Sequence, residues 1–582
     1  MLRSSFYRLP RGWKGFGSSI TTPLSYSQWV LRPALSYHSS AAGRVCPSAE
    51  DSTIYALSTA PGRAAIAVVR VSGPACVEIY RALCPGKPLP KPRSAALRSL
   101  HDPVRTPDDV PLDAGSLVLF FPSPRSVTGE DVLEFHVHGG PAIVKAVLQA
   151  LPRCASSSSP IRYAEPGEFT RRAFLNGRLD LTQVEALGDT LSAATEQQRR
   201  LFVRGTGNQL SKRYEEWRQL LLHARGELEA LIDFHEDQHF GESPAQLAIS
   251  VAHQVLKLKR LIDIHIRNAM RGELLRNGIS IALLGPPNAG KSSLLNQIAG
   301  REAAIVSQEA GTTRDIVDIG IDLGGYLCKL ADMAGLRQST APQQGDMDAL
   351  GSVEKEGIRR AKLRASESDV VVVILPVKRD HNGEARLMTD SEVLRTAATC
   401  AANGSELAVV INKIDQMSDS ALLEVWISEL HAKLAIPPDR IFPISCKSAA
   451  GASGDDPGRV QAFLRGLVGV FRSMTSAVDV DSQADLAIPG IPAQSVSNTL
   501  LQESLGASER HRLLLQECMI HLESFLEQVE TEVHEEGEPD IVVAAECLRA
   551  AADCLARITG RGTSGDVEEV LGVVFEKFCV GK

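Results

Sequence analysis

The chain has 582 residues, of which 44% are apolar and 23% charged, and its formal net charge is −8. That length exceeds what one hydrophobic core supports and predicts two to four domains; the acidic balance excludes a protein that holds nucleic acid by a global positive field. The 11 cysteines form no CxxC pair, which argues for reduced thiols over a zinc site, and no apolar run is long enough to cross a bilayer.

Residues 1–49 carry Arg3, Arg8, Arg11, Lys14, Arg32 and Arg44 and no acid. A basic, acid-free, Ser- and Tyr-rich leader dotted with Pro and Gly has the composition of an organelle transit peptide. A basic arm for RNA is the alternative, and a secretory signal would need a continuous apolar core. Taking those six charges from −8 leaves −14 for the rest, so nucleic-acid contact must rest on local patches.

Residues 50–167 predict a small α/β domain. Ala65 to Val71 reads as a strand bounded by glycines, and VLEFHVH, 132–138, as a second strand running into a glycine turn and a helix, GGPAIVKAVLQAL. Period two puts Glu134, His136 and His138 on one face and Leu133, Phe135 and Val137 on the other. H-x-H alone is a weak metal signal, and a ligand-facing or solvated sheet face is the preferred reading. The proline-rich stretch Pro85 to Pro111 and the serine run Ser156 to Pro160 read as loops.

Residues 168–274 predict a helical region. Asp180 with Gln183 forms a capping-box-like start, and the pattern is helical from Leu181 to Glu236, with Leu210, Tyr214, Trp217, Leu221, Ala224, Leu228 and Leu231 on one stripe. Arg199, Arg200, Arg204, Lys212 and Arg213 form a basic cluster, read as a solvated face or as RNA phosphate contacts. A second helix, Ala245 to Leu275, follows.

Residues 275–472 carry the most specific signal. After the apolar run Ile279 to Leu284 comes GPPNAGKSS, Gly285 to Ser293, then the helical LLNQIAG; strand, glycine-rich loop, GKS and helix make a phosphate-binding loop. Gly285 and Gly290 let the backbone fold round an oxyanion; Asn288, Ala289 and Ser293 complete the cradle, Lys291 reaches the β- and γ-phosphates, and Ser292 reaches Mg²⁺. Ile316 to Leu323 and Tyr326 to Ala331 predict a hairpin across Gly324-Gly325, ending at Asp332 to Gly335 (DMAG), with Asp332 placed to hold Mg²⁺ through water. GTTRD, Gly311 to Asp315, supplies Thr312 and the switch Thr313. Asn412, Lys413 and Asp415 follow the strand LAVVI, and a carboxylate there accepts from both the ring N–H and the amine of guanine, which selects GTP. Ser445, Cys446 and Lys447 close over the base. Five motifs in this order identify a GTPase domain of the translation-factor-related kind. One position departs from the Ras pattern: the residue after DxxG, a water-orienting glutamine there, is Leu336.

Residues 473–508 lack periodicity and predict a linker. Residues 509–582 return to helix, over Glu509 to Glu532 and over Ile541 to Ile558, the latter with Val542, Ala545, Leu548, Ala552, Leu555 and Ile558 on one stripe. A last helix begins near Thr563, with Asp566 as its capping partner, and delivers Cys579 to Lys582. Each apolar stripe needs a partner, so the helices on either side of the GTPase domain are expected to pack together, with that domain inserted between them.

Four segments together, APGRAAIAVVRVSGP, PGEFTRRAFLNGRLDLTQVEA, GPPNAGKSSLLN with GTTRD, and the terminal FCVGK, resemble one family. The chain is similar to the MnmE (TrmE) tRNA-modification GTPases from about residue 51 to the end, apart from the linker and an insertion at Gln338 to Ser352. The resemblance implies a multidomain α+β and α/β protein: a small folate-binding α/β domain that forms the homodimer, an all-α helical domain, and a P-loop Ras-like GTPase domain inserted in it. Implied function is GTP hydrolysis coupled, with an FAD-containing MnmG-type partner, to modification at C5 of the tRNA wobble uridine. The one-carbon unit comes from a tetrahydrofolate derivative, 5,10-methylene- or 5-formyl-tetrahydrofolate, and the leader suggests the mitochondrial form, for which taurine is the expected amine. Carried over to matching positions, Arg70, Glu134, Arg178 and Lys582 would contact folate, and Cys579 would act there as nucleophile or structural group. The resemblance also implies K⁺ beside the γ-phosphate, held by Asn288, Ser307, Glu309 and Thr312 when two GTPase domains meet, and Glu354 positioning water. Departures are Met333 within DMAG, Arg178 where a lysine also occurs, and the insertion upstream of Glu354. The competing readings are a ribosome-assembly or regulatory GTPase switch without modification chemistry, and a folate-binding module whose GTPase domain is only structural; the terminal motifs and the intact Lys291, Asp332 and Asp415 argue against them.

Overall fold

The computed structural model describes residues 52–104, 110–154, 160–234, 244–301, 304–308, 319–330, 362–381, 383–417, 421–451, 456–478, 502–534, 540–561 and 581. Alternating apolar and polar residues first build β1 (Thr53–Leu57) and β2 (Ile66–Ser72), then α1 (Cys76–Leu83), β3 (Ala96–Leu100), β4 (Asp113–Phe121), β5 (Val132–His138), α2 (Pro141–Ala150) and β6 (Ile161–Tyr163). The six strands form one sheet in the order β3-β4-β5-β2-β1-β6, antiparallel except for the β1–β6 pair. Tyr55, Val69, Val71, Leu133, Phe135 and Val137 pack beneath α1 and α2 in the core. Glu134 and His136 look out of the other face, as period two requires. Strand β3 corrects the expectation of a loop from Pro85 to Pro111: its alternating exposure marks an edge strand paired to β4 on one side only, and the polar residues that hid it in the sequence belong to that open edge.

The helical unit follows: α3 (Glu168–Leu175), α4 (Leu181–Ser192), α5 (Glu196–Gly205), α6 (Gln209–Phe234) and α7 (Pro244–Asn277). The helical pattern from Leu181 onward is thus three helices with two breaks. The first has a full capping box, Asp180 with Gln183, and in the second Gln198 Oε1 accepts from the Thr195 N–H at 3.3 Å; such caps start new helices where a continuous periodicity hides a turn. Leu210, Tyr214, Trp217, Leu221, Ala224 and Leu228 are all buried, facing α7 and two late helices described below.

Next comes the inserted sheet: β7 (Ile279–Leu284), α8 (Lys291–Arg301), β8 (Ala304–Gln308), β9 (Ile319–Leu323), β10 (Tyr326–Leu330), β11 (Val370–Arg379), β12 (Ala385–Leu387), α9 (Ser391–Ala402), β13 (Glu406–Asn412), α10 (Ala421–Leu434), β14 (Ile441–Ile444), α11 (Cys446–Gly451) and α12 (Val460–Thr475). Its order is β14-β13-β11-β7-β10-β9-β8, with β12 paired to β11. The run β14 to β10 is parallel, which explains the continuous apolar sequences of β11 and β13: both faces are covered by helices. The β9–β10 hairpin turns at Gly324 and Gly325, both at positive φ, as the double glycine predicts.

The chain then returns to the helical unit with α13 (Glu509–His534) and α14 (Ile541–Thr559). Leu515, Cys518, Leu522 and Phe525 of α13 and Leu548, Ala551, Leu555 and Ile558 of α14 complete the core begun by α6 and α7. The early and late helices therefore bury one another, and the chain leaves for the inserted sheet after α7 and returns at α13. Val542 departs from the expected stripe: it is 63% exposed, and Ala544 takes the buried place in the first turn of α14. The stretch expected to be an aperiodic linker begins inside the last turn of α12, and at its other end Ser504, Leu505 and Ala507 are buried.

Candidate functional site: a nucleotide cradle and an N-terminal sheet face

Strand β7 stops at Leu284 and α8 starts at Lys291, so Gly285–Gly290 is the loop between a buried strand and a helix N-terminus. Asn288 lies at φ 59 and Gly290 at φ 101, left-handed conformations that turn successive N–H groups toward one point. A Cβ on Gly290 would lie 2.1 Å from Asn412 Nδ2, so no side chain fits there. That amide donates to the Ala289 carbonyl at 2.8 Å, and Lys413 Nζ donates to the Asn288 carbonyl at 2.8 Å. The end of β13 thus braces the phosphate loop. Lys291 Nζ donates to the carbonyls of Gly285 (2.8 Å) and Pro286 (3.0 Å), and burial lowers its pKa. Ser292 and Ser293 are exposed in the first turn of α8.

The base-binding end is equally tied. Ser445 Oγ donates to Asp415 Oδ1 at 2.6 Å and fixes that carboxylate, which is otherwise exposed. Cys446 N–H donates to Asn412 Oδ1 at 3.4 Å, so its backbone joins the two loops. Burial pushes the Cys446 thiol up to about 11, which leaves it neutral and without a nucleophilic part. Lys447 is exposed beside it. The residues of the phosphate loop, the NKID turn and the SCK turn are therefore joined by direct hydrogen bonds, and the cradle fits a purine nucleoside phosphate: N–H groups and a lysine at one end, a fixed carboxylate at the other. Thr312, Thr313, Glu309, Asp332, Gly335, Leu336 and Glu354 lie outside the described residues. So do Cys579, Lys582 and the leader 1–49, while Ser307 is described only as part of the backbone of β8.

On the N-terminal sheet, Arg70 of β2 faces Glu134 of β5 in register. Arg70 Nε donates to Glu134 Oε1 at 3.0 Å, and its guanidinium lies 5.9 Å from the centroid of the Phe169 ring on α3. His136 Nε2 is 3.5 Å from Glu134, while His138 turns away to Asp113 at 2.8 Å. Glu134, His136 and His138 therefore do not converge as a metal set. Among the described residues Glu517, His521 and Cys554 do lie within 4.8 Å of one another, but Glu517 is already paired with Arg557.

Arg178 Nε donates to the Ser126 carbonyl at 3.0 Å, in the loop between β4 and β5. That loop is held by groups the sequence reading passed over. Arg172, buried on α3, binds Glu130, Glu168 and the Ser52 carbonyl, and Ser72 Oγ donates to Glu130 at 2.7 Å. Burial opposes ionisation of Glu168, but Arg162, the Glu165 N–H and Arg172 together hold its carboxyl below the usual range. The signal was present in EFTRR, where a glutamate and an arginine four residues apart share a helix face. From the far end of the chain, the Gly581 carbonyl accepts from Ser58 Oγ at 2.8 Å. Gly581 has φ 96, and a Cβ there would lie 2.3 Å from the Leu57 carbonyl. The carboxyl end thus closes on the β1–β2 turn, two residues along from Ala56, the register partner of Arg70.

The basic cluster of the sequence does not persist as a free basic face. Arg199 and Arg200 both bind Glu196, and Arg213 is buried against Glu216. These partners lie three or four residues away on the same helix, a spacing the sequence already contained.

With this geometry in place, comparison with known proteins decides the family. A profile described as GTP-binding protein TrmE N-terminus matches residues 53–178, and one described as MnmE helical domain matches residues 181–579. The chain belongs to the MnmE family of tRNA-modification GTPases. Its MnmE relatives include the mitochondrial tRNA modification GTPase mss1 of Schizosaccharomyces pombe, 36% identical over 91% of this chain and 95% of its own. The tRNA modification GTPase MnmE of Parvibaculum lavamentivorans is 38% identical over 91% of this chain and its whole length. The human protein named 5-taurinomethyluridine-[tRNA] synthase subunit GTPB3, mitochondrial, is 37% identical over 91% of this chain and 93% of its own. This MnmE-family chain is a GTPase, and like its eukaryotic relatives it is mitochondrial.

Proposed function

We propose that this protein hydrolyses GTP to drive modification at C5 of the wobble uridine of mitochondrial tRNAs, in a homodimer and together with an FAD-containing MnmG-type partner. Asp415 selects guanine, Lys291 and the loop N–H groups hold the phosphates, and Ser292, Thr313 and Asp332 serve Mg²⁺. Asn288, Ser307, Glu309 and Thr312 would hold a K⁺, whose charge would stand where other GTPases use an arginine finger. Glu354 orients water in place of the missing glutamine. A tetrahydrofolate derivative, when bound, supplies the one-carbon unit. Arg70, Arg178 and Lys582 offer cations to its anionic parts, and Glu134 accepts from its ring N–H groups while staying anchored by Arg70.

The observation that carries this reading is the Ser58–Gly581 hydrogen bond. A GTPase switch without modification chemistry has no use for a carboxyl terminus closed onto the Arg70–Glu134 face. The test is mass spectrometry of wobble uridines in mitochondrial tRNA from cells with and without the protein. Loss of the taurinomethyl group is expected, and unchanged uridines would return the regulatory-switch reading.

A further inference from the structure

A cleft of about 350 Å³ opens where α5 meets the last turn of α12 and the start of β10. Arg200 and Arg204, one turn apart on α5, and Arg472 at the end of α12 line it, together with Gln197, Thr475 and Ser476, and among the described residues no acidic one lines it. The floor is apolar, from Leu201, Leu275 and Tyr326. Cations in the last turns of α5 and α12 suit those helix ends. That accounts for one arginine on each helix, but not for three arginines lining one cavity in a chain that is acidic overall. Glu196 takes Arg200 through Nε, and Arg204 gives Nη1 to Gln502 at 3.2 Å with Glu503 in electrostatic reach, so these two charges are partly offset while still lining the cavity.

We propose that this cleft binds a backbone phosphodiester of the tRNA. Guanidinium forks match phosphate oxygens in two parallel hydrogen bonds, and the Gln197 side-chain amide beside them can donate to the same oxygens. The site rests on the tRNA-modification reading and gives that reading a docking point at the junction of the helical unit and the GTPase sheet. The sequence could show only one wall of it: Arg472 lies far along the chain from Arg200 and Arg204, and the fold alone brings it there.

The experiment measures binding of fluorescent tRNA to the full-length protein over a series of KCl concentrations. Each lost phosphate contact removes about 0.7 from the slope of log K against log salt. Because both arginines serve one phosphodiester, the double variant Arg204→Gln/Arg472→Gln is expected to flatten the slope by about 0.7 and weaken binding roughly 5-fold at 0.1 M salt. Arg549→Gln, on the exposed face of α14, removes a cation elsewhere and should change neither. Arg472→Lys keeps the charge and should retain the slope, which separates phosphate contact from misfolding. Wild-type affinity and slope in the double variant would overturn the inference, and so would an equal loss in Arg549→Gln. Inorganic phosphate is titrated in parallel. Phosphate binding lost in the double variant while tRNA affinity holds would make this a free-anion site and overturn the tRNA assignment. If the wild-type protein binds no tRNA, the proposed function itself fails; if it binds and the double variant binds equally, only the cleft fails.

Discussion

The nucleotide cradle lies within one sheet, where Gly285–Ser293, Asn412–Asp415 and Ser445–Lys447 follow the ends of the parallel strands β7, β13 and β14 and are tied by four short links: Asn412 to Ala289, Lys413 to Asn288, Cys446 to Asn412, and Ser445 to Asp415. The Arg70–Glu134 face draws instead on both ends of the chain, with Arg178 held by the Ser126 carbonyl and Gly581 by Ser58. The described links of the first site all form within its own domain. The links of the second include one, Ser58 to Gly581, that forms only when the chain after α14 returns to β1. The contrast means that damage to the scaffold should reach the second site first.

The largest expected effect comes from cutting that closure. Removing Cys579 to Lys582 should eliminate folate binding and tRNA modification and leave basal GTP hydrolysis nearly intact, measured by folate titration and phosphate release. A truncated protein that still modifies tRNA at full rate would show the carboxyl end to be a passive tail. At the other site, Asp415→Asn replaces charge-assisted acceptance with a mismatched amide. It should weaken GTP by about 1.5–3 kcal/mol per bond lost and admit xanthine nucleotides, which nucleotide titration checks. Folate binding should be untouched.

Acid sharpens the comparison by attacking the scaffold between the sites. His265 is buried against Tyr214 and Trp217, and burial with Arg213 pushes it down to about 3. His511 is also buried and lowered. Its Nδ1 accepts from Ser508 N–H at 3.2 Å and its Nε2 lies 2.8 Å from Glu185, an arrangement that suits the neutral ring. Both imidazoles are neutral when folded but take a proton near pH 6.5 when unfolded, so the unfolded chain binds more protons and stability falls as pH drops below about 6.5. His265 alone should cost about 2 kcal/mol by pH 5, read as a falling Tm across a pH series. Glu185 adds to the loss below the usual carboxylate range: burial raises its pKa, but His511 and Arg510 outweigh that and hold it well down. A Tm that stays flat from pH 7 to 5 would contradict this account.

The smallest expected effect concerns the cation. With Leu336 after DxxG, hydrolysis should run roughly tenfold faster in K⁺ than in Na⁺ at equal ionic strength, about 1.4 kcal/mol of barrier. It should also rise with protein concentration as GTPase domains pair. Asn288→Ala should remove the preference, and Glu354→Ala should slow turnover without loss of GTP binding. Equal rates in the two salts would point instead to Gln338, Gln343 or Gln344 as the group that orients water.

Several elements were legible because their physics is local. The phosphate loop needs glycine where a Cβ would strike Asn412, the hairpin needs Gly324-Gly325, and the capping box at Asp180 needs Gln183 three residues on. Strand β5 was legible from period two alone, since one face is buried and the other is not. Strand β3 was not, because an edge strand lacks a buried polar-apolar contrast on both sides. Val542 broke its stripe because helix periodicity gives a face but not the point where the neighbouring helix ends.

What the sequence determined by itself was therefore everything carried by short-range backbone geometry: strand, loop and helix order, the guanine-reading and phosphate-binding motifs, and the insertion of one domain in another. Tertiary structure alone decided which charges remained available. Arg172 of α3 is buried in an ion cluster with Glu130 of the β4–β5 loop, and Arg472 meets Arg200 and Arg204 across the domain junction. Chain geometry fixes a side chain's direction within its own element. Its partner is set by packing between elements distant in sequence, which no local pattern records.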